Sequence, residues 1–310
     1  MTHEDAFIRA IAERPEDDTH RLVYADWLEE NGQAERARFI RLQCEASVMP
    51  WDDPRRSALY EEIGRLLRRH GRGWLGPLPR GVRLDRFDRG MPVAKVRATA
   101  RNLLAKAEAW FGQAPVSVSF SLDLRSAGRR WSAFPALPWL GRVWGLRVAG
   151  DQVGDDEVAA LAACPSLDRL ASLDLSNNPL TDAAARAIAA SAHLHRLADL
   201  SLSFTRIGPA GVEAIVGSPG LARLAMLDLQ NTPIGDDGVA ALAASPRAAR
   251  LSWLNLAGCS ISDGGAAALA SSPHLSGVNE LRLWGNGLGK RARQALRARF
   301  GDRAQLGPER

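Results

Sequence analysis

Apolar residues recur every 27 positions through the second half of this 310-residue chain. Leu146, Leu173, Leu200, Leu227, Leu254 and Leu281 form one column, and Val148, Leu175, Leu202, Leu229, Leu256 and Leu283 a second. Val153, Leu180, Ile207, Ile234, Ile261 and Leu288 form a third. A fixed period of this size marks a solenoid, in which each unit buries its apolar edge only against its neighbours. In the copy running from Leu221 to Pro246, the first half alternates apolar and polar positions, as a strand with one buried face does. The second half, DDGVAALAA, has helical spacing. Asp155, Asp182, Asp236 and Asp263 stand near the predicted helix starts, where a carboxylate suits the N-terminal amides and the helix dipole. Pro165, Pro219, Pro246 and Pro273 stop the helices. The predicted unit is strand, turn, helix and return.

Between strand and helix, one position carries Asp151, Asn178, Thr205, Thr232, Cys259 and Asn286. A buried turn leaves backbone groups without ladder partners, so a short polar side chain belongs there. Asn both donates and accepts, whereas Thr and Cys do so less fully. The predicted structural spine is therefore Asn178, Thr205, Thr232, Cys259 and Asn286. In the helices, Ala160, Ala187, Ala214, Ala241, Ala268 and Ala295 let neighbours approach. Leu161, Ile188, Ile215, Leu242, Leu269 and Leu296 supply the core between helix and strand layers, the main source of stability at about 25 cal/mol per Å² of apolar area.

These columns resemble the leucine-rich repeat, in its ribonuclease-inhibitor-like class, over roughly residues 140–300. The resemblance implies an α/β solenoid: a horseshoe with a parallel sheet on its concave side and helices on its convex side. It further implies that the concave face binds other macromolecules, usually proteins.

The N-terminal part is predicted to be all-helical. EDAFIRAIAE is a short amphipathic helix. Asp18 or Thr19 caps a second helix, which sets Leu22, Val23, Trp27 and Leu28 at helical spacing and stops at Gly32. QAERARFIRLQCEAS and DDPRRSALYEEIGRLLRRHG make a third and a fourth, and GRGWLGPLPRG breaks regular structure. The first 45 residues or so resemble a bacterial repeat-companion domain, through Phe7, Ile11, Pro15, Asp18, Arg21, Leu22, Tyr24, Ala25, Asp26, Trp27, Leu28, Ala37, Phe39, Ile40 and Gln43. That resemblance implies an architecture and no chemistry. Asp26 either joins helices, through Arg21 or Arg36, or takes part with Trp27 in recognition. Residues 82–125 suggest extended chain, a helix at RNLLAKAEAWF and a strand at VSVSFSLDL, an irregular repeat that would cover the open edge of the sheet. Trp131, Trp139 and Trp144 are assigned to packing near its junction with the regular repeats. The expected organisation is a helical domain over 1–75, a capping region over 76–139, six repeats over 140–300 and a tail over 301–310.

The net charge of +5 is uneven. Residues 81–139 carry ten basic against four acidic side chains, whereas residues 140–290 carry 11 against 14. A uniformly basic groove is not what this describes, so a nucleic-acid partner is not expected. No 18-residue apolar run and no secretory leader pattern is present, so no membrane partner is expected. Three scattered cysteines argue against a disulfide framework and for a reducing, cytoplasmic location. A monomer is expected.

Catalytic chemistry is not legible. The chain has no phosphate-loop, dinucleotide or H-E-x-x-H motif. His193 and His195 lack a completing ligand set, so neither a metal nor another cofactor is expected. Cys164 and Cys259 read as structural. Asp17, Asp18, Asp52 and Asp53 read as helix-start residues. The basic C-terminal helix spreads Arg291, Arg293, Arg297 and Arg299 around its circumference, as a solvated cap would.

What remains is a surface. Alternation turns Asp174, Asp199, Asp228, Gln230, Asn255, Glu280 and Arg282 outward on the sheet, together with Met226, Trp253 and Trp284, and sets Phe204 at the rim. Carboxylates beside exposed aromatics compose a protein-binding hot spot. The expected function is non-enzymatic capture of a protein or peptide, basic in character, with an apolar anchor near Trp253. The alternatives are binding of nucleic acid or another anionic partner through the basic flanks, or regulation of an enzyme such as a GTPase.

Overall fold

The computed structural model describes residues 2–14, 17–49, 53–76, 78–112, 119–125 and 138–308. Pro15, Asp52, Trp131 and the beginning of the VSVSFSLDL segment lie outside the described residues. The chain divides into two compact units, one of Met1–Arg97 with Lys106–Ser121, the other of Ala98–Ala105 with Leu122–Arg310.

The first unit packs helices α1 (His3–Glu13), α2 (Asp18–Glu30), α3 (Ala34–Val48) and α4 (Arg56–Leu75) with a hairpin of β1 (Arg83–Asp88) and β2 (Met91–Thr99). Thr2 and Asp5 close a reciprocal capping box on α1. The cap of α2 is Asp17, one residue before the predicted choices, because its carboxylate accepts the Thr19 amide at 2.9 Å. Leu22 and Val23 face solvent instead of the core. The inward face of α2 is Arg21, Tyr24, Ala25 and Leu28, packed with Ile11, Ala37, Ile40, Cys44 and Met91. α4 continues through Gly71 and Gly73, where the sequence suggested a break, and ends at Gly76 in the left-handed region (φ +69°). Gly71 is buried close to Phe87, so packing outweighs the low helix propensity of glycine.

The hairpin turns on Arg89 and Gly90, both at positive φ, the two-residue turn that matches strand twist. At Gly90 a Cβ would lie 2.3 Å from Ile40, and its amide donates to the Gln43 side chain at 2.7 Å. Asp26 is exposed and pairs with Arg41 at 2.6 Å, not with Arg21 or Arg36. Arg21 is only 2% exposed; it meets Asp18 at 3.3 Å, which Arg89 also contacts, while Arg36 pairs with Glu4. Burial pushes the Arg21 pKa down, with Arg89 adding repulsion.

In the second unit, six short strands stack in parallel register: β4 (Val143–Arg147), β5 (Ser172–Asp174), β6 (Asp199–Ser201), β7 (Met226–Asp228), β8 (Trp253–Asn255) and β9 (Glu280–Arg282). The 27-residue columns pair row by row, Leu146 with Leu173 and so on to Leu281. A two-residue strand β10 (Ala304–Gln305) adds to β9. The regular helices are α6 (Asp155–Ala162), α7 (Asp182–Ala189), α8 (Pro209–Gly217), α9 (Gly235–Ala244), α10 (Asp263–Ser271) and α11 (Lys290–Phe300). Before them come α5 (Ala100–Ala107) and β3 (Ser119–Arg125), where a helix and a strand were expected.

Three polar columns join each repeat to the next. The spine works as its chemistry demands. Asn178 accepts from the amides of Asp151 and Val153 in the preceding copy and donates to the carbonyls of Val148 and Leu175. Asn286 repeats the pattern on Cys259, Ile261, Leu256 and Leu283. Thr205 and Thr232 donate only to the carbonyl three residues back, and the Cys259 thiol donates to Leu229 O at 2.9 Å. Burial pushes the Cys259 thiol pKa up, which suits an inert donor.

The aspartates at the helix starts reach forward rather than capping their own helices. Asp155 accepts from Thr181, Asp182 from Gly208, Asp236 from Ser262 and Asp263 from Gly289, each at the N-cap of the following helix. Pro209 replaces this aspartate in its copy, and the following helix, α9, begins at Gly235 with φ +57°. At the other helix ends, Ser191, Ser218, Ser245 and Ser272 donate to the carbonyls of Ala162, Ala189, Val216 and Ala243. Arg299 continues that column, donating to Ser272 O at 3.1 Å.

The C-terminal arginines are therefore not all solvated. Arg293 is 6% exposed and donates to the carbonyls of Leu288, Leu306, Gly307 and Pro308. Arg303 donates to those of Phe300, Ser276 and Val278. A buried carbonyl left without a donor costs about 1–3 kcal/mol, and a guanidinium can serve several at once.

Asn178→Ala should lose about 2–4 kcal/mol in urea denaturation followed by circular dichroism, whereas Thr205→Val should lose about 1 kcal/mol, because it frees fewer buried groups. Arg293→Ala should release the terminal strand. The Leu283 amide, which donates to Gln305 O, should then exchange roughly tenfold faster, with the Leu229 amide unchanged.

Candidate binding face

Each strand is three to five residues long and sets its central leucine into the core, so the residues on either side of that leucine face out together. One outward row runs Gly145, Ser172, Asp199, Met226, Trp253 and Glu280; the other runs Arg147, Asp174, Ser201, Asp228, Asn255 and Arg282. With strands about 4.8 Å apart, Asp174, Asp228 and Arg282 stand at intervals of about 10 Å along one line.

Several of the predicted residues satisfy one another. Arg147 meets Asp174 at 3.3 Å, and Ser172 donates to Asp199 at 3.0 Å. Arg282 binds Glu280 at 2.7 Å and lies over the half-buried Trp253 ring, 5.0 Å from its centroid. Asn255 faces outward yet is 1% exposed; it donates to Gln230 Oε1 and accepts the Ala257 amide. Met226, Trp284 and Phe204 are exposed.

Asp228 is different. It accepts the Gln230 amide at 3.0 Å, and no arginine, lysine or histidine among the described residues pairs with it. Burial raises its pKa above the ordinary 3.8, and the nearby Asp174 adds to the shift, while Arg282 opposes it. It is a partly desolvated carboxylate in the middle of the sheet, without a direct counter-ion.

The turn after each strand adds a feature that alternation does not reveal. Gly150, Asn177, Phe204, Asn231, Gly258 and Gly285 all have φ between +53° and +75°. Glycine and asparagine suit this left-handed region; phenylalanine does not. Close stacking also restricts the column, since a Cβ on Gly258 would meet Asn231 Oδ1 at 2.1 Å. Phe204 therefore holds a bulky ring in an unfavourable conformation, and the ring is 51% exposed. Its position in the repeat pointed outward in the sequence, but the backbone conformation of that column becomes visible only when the turns are compared.

Among the described residues, no three His, Cys, Asp or Glu side chains are grouped to hold a metal ion. No helix is long and apolar enough to cross a membrane. Cys44, Cys164 and Cys259 are buried thiols, and burial pushes Cys44 up to about 12. The glycine-rich turn Gly285–Gly289 lines a pocket at the start of α11 with Lys290 and Arg293, but Asp263 already takes the Gly289 amide and Arg293 is engaged with carbonyls.

A family model for the leucine-rich repeat matches residues 170–189, 193–216, 226–243 and 251–270. No curated protein matches the chain. Seventy solved chains match. One is an internalin (inlF) from Listeria monocytogenes, 15% identical over 62% of this chain and 74% of its own, with a TM-score of 0.31.

Asp228→Asn removes a carboxylate whose neutral form the fold favours. The cost of its charge is absent below about pH 3.8, builds as pH rises towards the raised value and is constant above it. Thermal unfolding should therefore show the variant more stable than wild type at pH 7, with the advantage gone at pH 3.

Proposed function

We propose that this chain, a leucine-rich-repeat protein, is a non-enzymatic binding module that takes a basic, extended protein or peptide segment across the outward face of its parallel sheet. Leucine-rich repeats generally mediate protein–protein interaction, and the matched segments include β5, β6, β7 and β8. The observation that carries the reading is Asp228. A desolvated carboxylate without a direct cation is an unfavourable feature of the free protein that a lysine or arginine from a partner would relieve.

The apolar anchor lies beside it. Met226 and Trp253 are register partners on adjacent strands, and Trp284 and Phe204 flank them at the turn end of the sheet. Aromatic rings on a rigid strand face lose little entropy on binding, so they concentrate affinity. Phe204 supports the same reading: an exposed ring kept where glycine or asparagine is conformationally preferred offers the fold no evident gain.

The test is selection from a displayed random peptide library on the full chain. Wild type should enrich peptides that combine Lys or Arg with a large apolar residue. Trp253→Ala should weaken a selected peptide about 30-fold, and Asp199→Lys with Asp228→Lys about 10- to 100-fold, by calorimetry. Enrichment of acidic peptides, or unchanged affinity in the charge-reversed protein, would refute the proposal. Phe204→Asn should raise unfolding stability by about 1 kcal/mol while lowering peptide affinity, a split that a purely structural residue would not give.

A further inference from the structure

The first unit carries a second surface of opposite sign. Arg65, Arg68, Arg69 and Arg72 on α4 are all exposed. Their spacing of i, i+3, i+4 and i+7 sets them within an arc of about 100° on one face, along about 10 Å of helix. None of the four forms an ion pair or side-chain hydrogen bond with a described residue. The acidic residues of the same helix offset the stripe only in part: Glu62 is taken by Arg38, and the exposed Glu61 stands one turn before Arg65 on the same face, which leaves a surplus of basic charge there. Four like charges so close repel one another, and among the described residues no ion pair of theirs offsets the repulsion.

The opposite face of α4 restricts what could cover the stripe. Ile63 and Leu66, with Leu59, Leu67 and Trp74 beside them, pack into a core with Phe39, Ala46 and Phe87. The helix therefore has no apolar face left to insert into a bilayer. His70 stacks on Trp74, and Tyr60 is engaged by Arg56, so among the described residues no free aromatic platform for unstacked bases accompanies the arginines. What the stripe offers is chiefly guanidinium. Arginine pairs with phosphate through two parallel N–H donors, and residues one turn apart, with Cβ atoms about 5–6 Å from each other, can each reach a different phosphate of one strand.

We infer that the Arg65–Arg72 face of α4 binds the phosphodiester backbone of duplex nucleic acid, without reading sequence. It is separate from the peptide face on the repeats and does not depend on it. Phosphate contacts of this kind position a protein on the duplex and confer no base preference.

The experiment uses the full chain and fluorescein-labelled 20-base-pair duplexes of mixed sequence, one DNA and one RNA, read by anisotropy from 50 to 200 mM NaCl. Wild type should bind with Kd on the order of 1 μM at 50 mM salt, and four phosphate contacts should give a log–log salt slope of about −3.6, a loss of roughly 100-fold over the range. The tighter of the two duplexes names the source. The variant Arg65→Gln, Arg68→Gln, Arg69→Gln, Arg72→Gln should lose at least 30-fold at 50 mM salt with its circular dichroism and melting unchanged, since glutamine suits an exposed helix nearly as well. A control of equal charge loss in the repeats, Arg186→Gln, Arg206→Gln, Arg247→Gln, Arg250→Gln, should bind like wild type. Absent binding by wild type, a stripe variant within threefold of wild type, or equal loss in the control would each overturn the inference. So would tighter binding of wild type to vesicles with 30% phosphatidylserine, or to poly-glutamate, than to either duplex.

Discussion

A strand of three residues leaves most of its turn and helix-end backbone without ladder partners, and meeting that demand from the neighbouring repeat is the constraint on which the second unit depends. Asn178 and Asn286 meet it at the turn, the forward-reaching aspartates at the helix starts, and the serines at the helix ends. Each of these bonds crosses from one 27-residue copy to the adjacent one. No copy satisfies itself fully, so the stack acts as a chain of neighbour interactions, and its weak points are copies such as those of Thr205 and Thr232, whose hydroxyls bond within their own copy. From α11 onward arginine takes over this work: Arg293 holds carbonyls of the terminal segment, and Arg299 and Arg303 hold those of Ser272 and Val278.

The same constraint makes the outward face useful. Because the polar cross-links lie in the turns and helix ends, the two outward rows of the sheet are free to vary, and here they vary toward acid and aromatic side chains. Rigid backing matters to a carboxylate such as Asp228: a mobile strand would let it turn to water, whereas this one keeps it partly desolvated between Asp174 and Arg282. Stability and recognition pull in opposite directions at Asp228 and at Phe204, and that opposition separates those two residues from the self-satisfied pairs around them.

Much of the second unit was legible because period is a strong signal. The leucine columns, their register and the spine position follow from counting by 27, and the structure pairs those rows as counted. The direction of a side chain's reach was not legible. Asp155 and its equivalents stand at helix starts, as capping residues do, yet they hold the next helix, because an aspartate one residue past its own cap points along the stack. Net charge hid the roles of the basic residues in the same way. Arg293, Arg299 and Arg303 belong to a charge run in sequence but are carbonyl donors in space, while α4, in a segment of net negative charge, presents a basic face without ion pairs to described residues. In the first unit, Leu22 and Val23 fit a helical spacing as well as Arg21 and Tyr24 do. A short helix with polar residues on its buried side does not declare which face is inward.

The two units thus present surfaces of opposite sign that arise from different physics. On the repeats, the sheet imposes positions and the outward residues inherit them, so the face is ordered along two axes, one by strand spacing and one by alternation. On α4 the order is one-dimensional, a row of guanidinium groups set by helical pitch alone. An ordered two-dimensional face can discriminate among ligands by side-chain shape, because apolar and charged groups sit at fixed offsets from each other. A row of identical charges can discriminate only by charge spacing. If both surfaces are occupied, selectivity therefore resides in the repeats, and α4 contributes attachment whose strength follows ionic strength rather than sequence.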